Sequence, residues 1–190
     1  MLSADINGSD SLLIITVSGK AGSGTSTLVE GLCEKYDWRF MNGGIIFRNE
    51  AEMRQMDLAS FAELCKHDLS VDKGLDEVLK AFILDEEGPE VVESRLAGWW
   101  SHQLEMRGVR LWLEVSLEER ARRVVEREGG ALAQRAQEIE AREQLDLQRF
   151  KELYDLDPAD PTPYTNILNT DTMGIEEVLA AVCNIIDGDG

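Results

Sequence analysis

Residues Gly19-Lys20-Ala21-Gly22-Ser23-Gly24-Thr25-Ser26-Thr27 gather glycines, hydroxyls and one lysine directly behind an apolar run from Leu12 to Val17. This is the composition of a phosphate-binding loop. Glycines permit close backbone approach and positive φ, several main-chain N–H groups then point inward, and the following helix adds its positive N-terminal pole. The pattern G-x-x-x-x-G-K-[ST] is met at Gly19, Gly24 and Ser26, but Thr25 stands where the lysine that reaches the β/γ-phosphates belongs. One positive charge is missing. Lys20 can supply it if the loop curls around the phosphates; the plainer alternative is a solvated side chain.

A second constellation lies downstream, with Arg120, Arg122, Arg123 and Arg127 close together and Arg142, Asp146 and Arg149 after a Gly129-Gly130 break. Guanidinium groups meet phosphate oxygens in forked geometry. The bland account is a solvated helix pair whose i, i+4 contacts are worth about 0.2–0.5 kcal/mol each. Function is favoured because the arginines cluster in an acidic chain whose phosphate loop lacks its lysine. Acidic residues outnumber basic ones 37 to 19, for a formal charge of −18. That balance speaks against a sequence-independent grip on nucleic acid, and any anionic substrate must be met by local arginines. Glu93 and Arg95 follow a short strand, Glu90 to Glu93, at the edge where open α/β sheets bind ligands.

Cys33, Cys65 and Cys183 are odd in number and set in apolar surroundings, which favours buried thiols in a reducing compartment. Neither His67 nor His102 has a partner at ligand spacing. No signal segment opens the chain and no apolar run approaches the ~18 residues of a membrane span. A cytoplasmic protein that contacts no membrane is expected, and an acidic, lysine-poor surface would suit a salty cytoplasm.

At 190 residues the chain suits one α/β domain. Residues 1–11 read as a loose lead-in. Helical spacing covers Thr25–Tyr36, and Arg39–Met41 is a second strand. Asn42-Gly43-Gly44 breaks the pattern before a helix from Ile45 to Arg54, with Phe47 inward and Arg48 facing a cleft. Two helical pieces between Asp57 and Asp85 carry no charge-bearing motif that stands out. A fourth strand runs from Val109 to Val115, helices from Leu117 to Glu128 and from Leu132 to Tyr154, a fifth strand from Asn166 to Asn169, and a last helix from Ile175 to Ile186. The alternation argues for a parallel five-stranded sheet flanked by helices, with helical inserts covering the cleft from two sides.

Four segments carry a family resemblance: Ser18 through Thr27; Asn42-Gly43-Gly44-Ile45-Ile46-Phe47-Arg48; Val92-Glu93-Ser94-Arg95-Leu96-Ala97-Gly98-Trp99; and Arg142-x3-Asp146-x2-Arg149-Phe150. The chain resembles the nucleoside monophosphate (NMP) kinases of the P-loop class, and within them the archaeal-type cytidylate kinases, which similarly carry threonine at the lysine position. The resemblance implies a P-loop NTPase-like sheet with an NMP-binding insert at residues 42–86 and a lid hairpin at 117–156. It implies transfer of the γ-phosphoryl group of ATP to CMP or dCMP, with Mg²⁺. Gly19 through Thr27 and Arg120 would bind ATP. Arg48, Arg95, Arg142, Asp146 and Arg149 would bind the monophosphate, Asp146 accepting from the cytosine amino group or the ribose hydroxyls. Lys20, Arg123, Arg127 and Arg142 would act on the transferring group. Ser26 would ligate Mg²⁺ directly and Glu93 would hold its waters. Ser94 replaces a family glycine and Ile45 a small polar residue. The alternatives are a related kinase acting on AMP, UMP or another small molecule, or a nucleotide-binding regulator that has lost catalysis. A monomer is expected.

Overall fold

The computed structural model describes residues 14–188. The lead-in expected for residues 1–11 and the start of the apolar run at Leu12 lie outside them. The elements are β1 (Ile14–Gly19), α1 (Thr25–Tyr36), β2 (Phe40–Asn42), α2 (Gly43–Met53), α3 (Leu58–His67), α4 (Leu69–Leu84), β3 (Val91–Glu93), α5 (Ala97–Gln103), β4 (Gly108–Glu114), α6 (Leu117–Glu128), α7 (Leu132–Tyr154), β5 (Asn166–Asn169) and α8 (Ile175–Asp187). The strands form one parallel sheet in the order β2-β3-β1-β4-β5. Every residue of the central strand β1 is buried, as a parallel strand covered on both faces requires.

One face of the sheet packs on α1 and α8, through Ile15, Val17, Leu28, Val29, Leu32, Val182 and Cys183. On the other face Ile14 and Val92 meet Leu79 and Ile83 of α4, Trp100 of α5 and Phe150 of α7. A smaller cluster of Ala51, Phe61, Cys65 and Val71 binds α2, α3 and α4 to one another. The pair α6 and α7 shares Ala121, Val124 and Ile139. No described helix is long and apolar enough to cross a membrane. Because β1 lies between β3 and β4, the sheet's strand order reverses at its carboxyl end, which opens a crevice there.

Three local expectations change. Asn42-Gly43-Gly44 begins a helix instead of breaking the chain: Asn42 is the N-cap of α2, its Oδ1 accepting from Ile45 N at 2.7 Å. Residues 97–103, where the sequence pattern marks no element, form α5, a helix too short to show a period. Strands β2 and β4 are shifted by one residue towards the carboxyl and amino ends respectively, to Phe40–Asn42 and Gly108–Glu114.

Gly108 opens β4 with φ +136°, and a Cβ there would stand 1.9 Å from the Ile14 carbonyl oxygen. That atom belongs to the paired strand and cannot yield without parting β1 from β4. Gly108→Ala is expected to cost about 3 kcal/mol, read as a lowered midpoint in urea unfolding.

Candidate functional site

The loop between β1 and α1 turns on Gly22 (φ +84°) and Gly24 (φ +91°), and Gly24 is the N-cap of α1. No side chain caps that helix and no acid lies in its first turn, so its leading N–H groups face the crevice unoccupied by side chains. Ser23 N donates to Lys20 O at 3.1 Å, which closes the curl, and Ser23 Oγ lies inside it without a partner. Such a cradle suits an anion with several oxygens.

Behind the loop stands Glu93, at the end of β3. Thr25 Oγ1 donates to Glu93 Oε1 at 2.6 Å, and Ser26 Oγ donates to the same carboxylate at 3.0 and 3.4 Å. Thr25 therefore points at an acid, and its hydroxyl cannot replace the missing lysine. One carboxylate and two hydroxyls are oxygen donors of the kind Mg²⁺ takes. Among the described residues no cluster of three or more His, Cys, Asp or Glu could cage a metal by itself.

The arginines of α6 divide. Arg120 is 2% exposed; its Nε donates to Val115 O at 3.1 Å, its Nη1 to Ala21 O at 3.0 Å, and it pairs with Glu143. It was expected to close over ATP from a mobile lid, yet its guanidinium is occupied and it supports the loop from behind. Arg123 donates to Ser23 O at 2.9 Å and to Thr170 O at 2.5 Å, and Glu119 fixes it at 2.8 Å. Its Nη1 also lies 3.6 Å from where a Gly24 side chain would begin. Arg127 is exposed and pairs with its neighbour Glu128, so this conformation does not bring it to the loop.

Arg95, just past β3, pairs with Asp146 of α7. Arg149 reaches Asp146 at 3.3 Å and Asp72 of α4 at 3.5 Å. Burial lowers the Arg95 guanidinium from its ordinary value against the pull of Asp146, and Arg142 and Arg149 depress it further. Gly19, Lys20, Arg95, Trp112 and Asp146 line one cavity of about 280 Å³. Lys20 thus lines the same cavity as Arg95. Arg48 and Arg142 are exposed, and with Lys20 they make no ion pair among the described residues. Ser94 accepts from Leu96 N at 3.3 Å in the turn that presents Arg95.

Two acids of α4 were missed. Asp72 pairs with Arg149, and Asp76 accepts from Tyr154 Oη at 2.7 Å and Trp100 Nε1 at 3.3 Å. Burial raises both carboxyls, opposed at Asp72 by the charge of Arg149 and at Asp76 by those two hydrogen bonds. Their i, i+4 spacing beside the apolar positions Leu75 and Leu79 was the available signal.

Glu119 holds Arg122 and Arg123 together, and the hydrogen bond from Arg122, with that from Arg123 behind it, lowers its carboxyl to about 2 from an ordinary 4.5. The folded value lies below the unfolded one, so this contribution is complete above pH 4.5 and is lost as pH falls towards 2. Glu119→Gln is expected to flatten the stability profile in that window, measured by denaturant unfolding at stepped pH.

A family model described as an AAA domain matches residues 15–146. A cytidylate kinase of Halobacterium salinarum is 38% identical over 92% of this chain and 90% of its own, and one of Methanocorpusculum labreanum is 36% identical over 88% and 93%. Among solved structures, shikimate kinase of Bacteroides thetaiotaomicron superposes with a TM-score of 0.57 at 15% identity, over 92% of this chain and 98% of that one, a likeness of fold. With the phosphate loop, the arginine cluster and the sheet order in place, the chain belongs to the cytidylate kinase family.

Proposed function

We propose that the chain transfers the γ-phosphoryl group of ATP to CMP or dCMP, giving the diphosphate and ADP. The observation that carries this is the single cavity in which Gly19 and Lys20 of the phosphate loop face Arg95 and Asp146. Phosphoryl transfer asks little covalent chemistry of a protein: two phosphates in line, water excluded, and charge matched on the moving oxygens. An oxygen of the monophosphate attacks the γ-phosphorus, the bond to the β–γ bridging oxygen breaks, and its electron pair leaves on ADP.

The N–H groups of Gly19 through Thr27 take the ATP phosphates, with Arg120 bracing the loop. Arg48, Arg95, Arg142 and Arg149 take the acceptor's phosphate, and Asp146 its ribose hydroxyls or base. Ser26 and Glu93 are the residues that would hold Mg²⁺, which when bound neutralises the β- and γ-oxygens. Residues 42–86 form the insert that clamps the acceptor, and residues 117–156 the lid; Arg123 holds the loop beside the transferring group, and Arg127 closes on it from the lid. An arginine so placed is worth about 10³ to 10⁵ in rate. Lys20 restores the charge absent at Thr25. A monomer working in the cytoplasm on small nucleotides, with no nucleic acid partner, completes this reading.

The decisive measurement is ADP release from ATP and Mg²⁺ with CMP, dCMP, UMP and AMP in turn. Turnover with CMP or dCMP is expected; inactivity with all four overturns the proposal. Arg95→Ala and Arg149→Ala should each raise KM for CMP roughly 10- to 100-fold. Lys20→Ala should lower kcat about tenfold or more, and unchanged kcat and ATP KM would remove that lysine from the mechanism.

A further inference from the structure

β1 carries two hydroxyls on the face that α5 covers, Thr16 and Ser18, both closed to solvent. Thr16 Oγ1 has no partner. Ser18 Oγ has two: it donates to Ser94 O at 2.7 Å and accepts from Gly98 N at 3.3 Å. Both partners are main-chain groups, 76 and 80 residues away in sequence. A buried hydroxyl that donates and accepts in this way leaves neither group unpaired and fixes the segment that bears them.

That segment is the turn that carries Arg95. Ser94 O also accepts from Ala97 N at 3.4 Å, closing the turn around Arg95 and Leu96. Gly98 lies in the first turn of α5, whose N-cap, Leu96, offers it no side-chain acceptor, and Ser18 supplies one from β1. Tyr164 closes over Gly98 from another side, where a Cβ would stand 2.4 Å from its ring. The pairing of β1 with β3 ends at Val17 and Glu93, with one further bond from Ser94 N to Val17 O at 3.3 Å. Past that point the two chains part, one into the phosphate loop at Gly19 and the other into the turn. Thr25 and Ser26 tie the far end of the loop to Glu93. Ser18 ties its near end to the residue before Arg95.

Resting on the kinase reading above, we propose that Ser18 is a positioning residue for phosphoryl transfer. Its hydroxyl sets how far Arg95 stands from the phosphate loop, and so how closely the acceptor's phosphate approaches the γ-phosphorus. In-line transfer needs the reacting atoms about 3–3.5 Å apart, and a misplacement of about 1 Å can cost 10²-fold. The two phosphates are held by different segments, so neither segment corrects an error in the spacing between them. Asp146 orients the outer end of the Arg95 side chain. Ser18 fixes its root at the backbone, touches neither nucleotide, and acts through Arg95.

The test is a double-mutant cycle on Ser18→Ala and Arg95→Ala, read as KM for CMP. In the otherwise unaltered protein Ser18→Ala should raise KM for CMP about tenfold, while KM for ATP holds within about twofold. In the Arg95→Ala background the same change should move KM for CMP by less than about twofold, because the residue it acts through is gone. A hydroxyl that merely fills the core would lower the unfolding temperature and leave both KM values alone. That result, an equal loss in both backgrounds, or a KM for ATP raised as far as that for CMP overturns the proposal. If Ser18→Ala does not fold, Ser18→Cys fills the same space with a weaker donor and acceptor, and the same cycle decides, an unchanged KM for CMP again overturning it. Wild-type protein inactive with CMP overturns the kinase reading and this proposal with it, whereas an active wild type with any of those results overturns this proposal alone.

Discussion

A guanidinium buried beneath the phosphate loop holds the active end of the molecule together. Arg120 ties the end of β4 through Val115 O, the loop through Ala21 O, and α7 through Glu143. A charge so deeply placed is tolerable only when its donors are satisfied, and here a carboxylate and two carbonyls satisfy it. The loop's backbone is thus fixed from behind by a side chain, leaving its N–H groups to face the crevice. Arg123 repeats the arrangement one turn later on α6, through Ser23 O and Thr170 O.

Electrostatics elsewhere in the site follow from the acidity of the chain. With a formal charge of −18, cations that must meet a phosphate are held against nearby carboxylates until they do. Arg95 and Arg149 share Asp146, and Arg149 also reaches Asp72. An entering phosphate exchanges partners with these acids and does not meet bare charges, so part of its attraction is spent on freeing the arginines. Lys20, Arg48 and Arg142 make no such pairs among the described residues and offer charge without that exchange.

Much of this was legible from residue order. The helices at Leu117–Glu128 and Leu132–Tyr154 and the strand at Asn166–Asn169 fall where the sequence places them, because Ser116, Gly129 and Asp155 punctuate strongly periodic runs. The phosphate loop could be read because its chemistry is local. What escaped depends on tertiary contacts. Residues 97–103 become helical because Trp100 is buried against α4 and Tyr154, and Gly98 admits the Tyr164 ring where a Cβ would lie 2.4 Å from it. The weight of Asp72 and Asp76 comes from partners on α5 and α7, far along the chain, and in sequence they look like any solvated acids. The resemblance assigned Arg120 to ATP, and in sequence a helical arginine of the hairpin looks the same whether it faces the ligand or lies behind the loop.

The bonds that shape the loop are distant ones. Arg120 and Arg123 reach it across separations of 99 and 100 residues, and β1 finds its neighbours only in β3 and β4. A chain growing from its amino end makes the nucleotide cradle long before it makes the braces for it. The cradle is therefore among the last parts to acquire its working form, and loop closure over such distances slows folding. Until α6 has emerged and docked, a nascent chain carries the motif without the pocket.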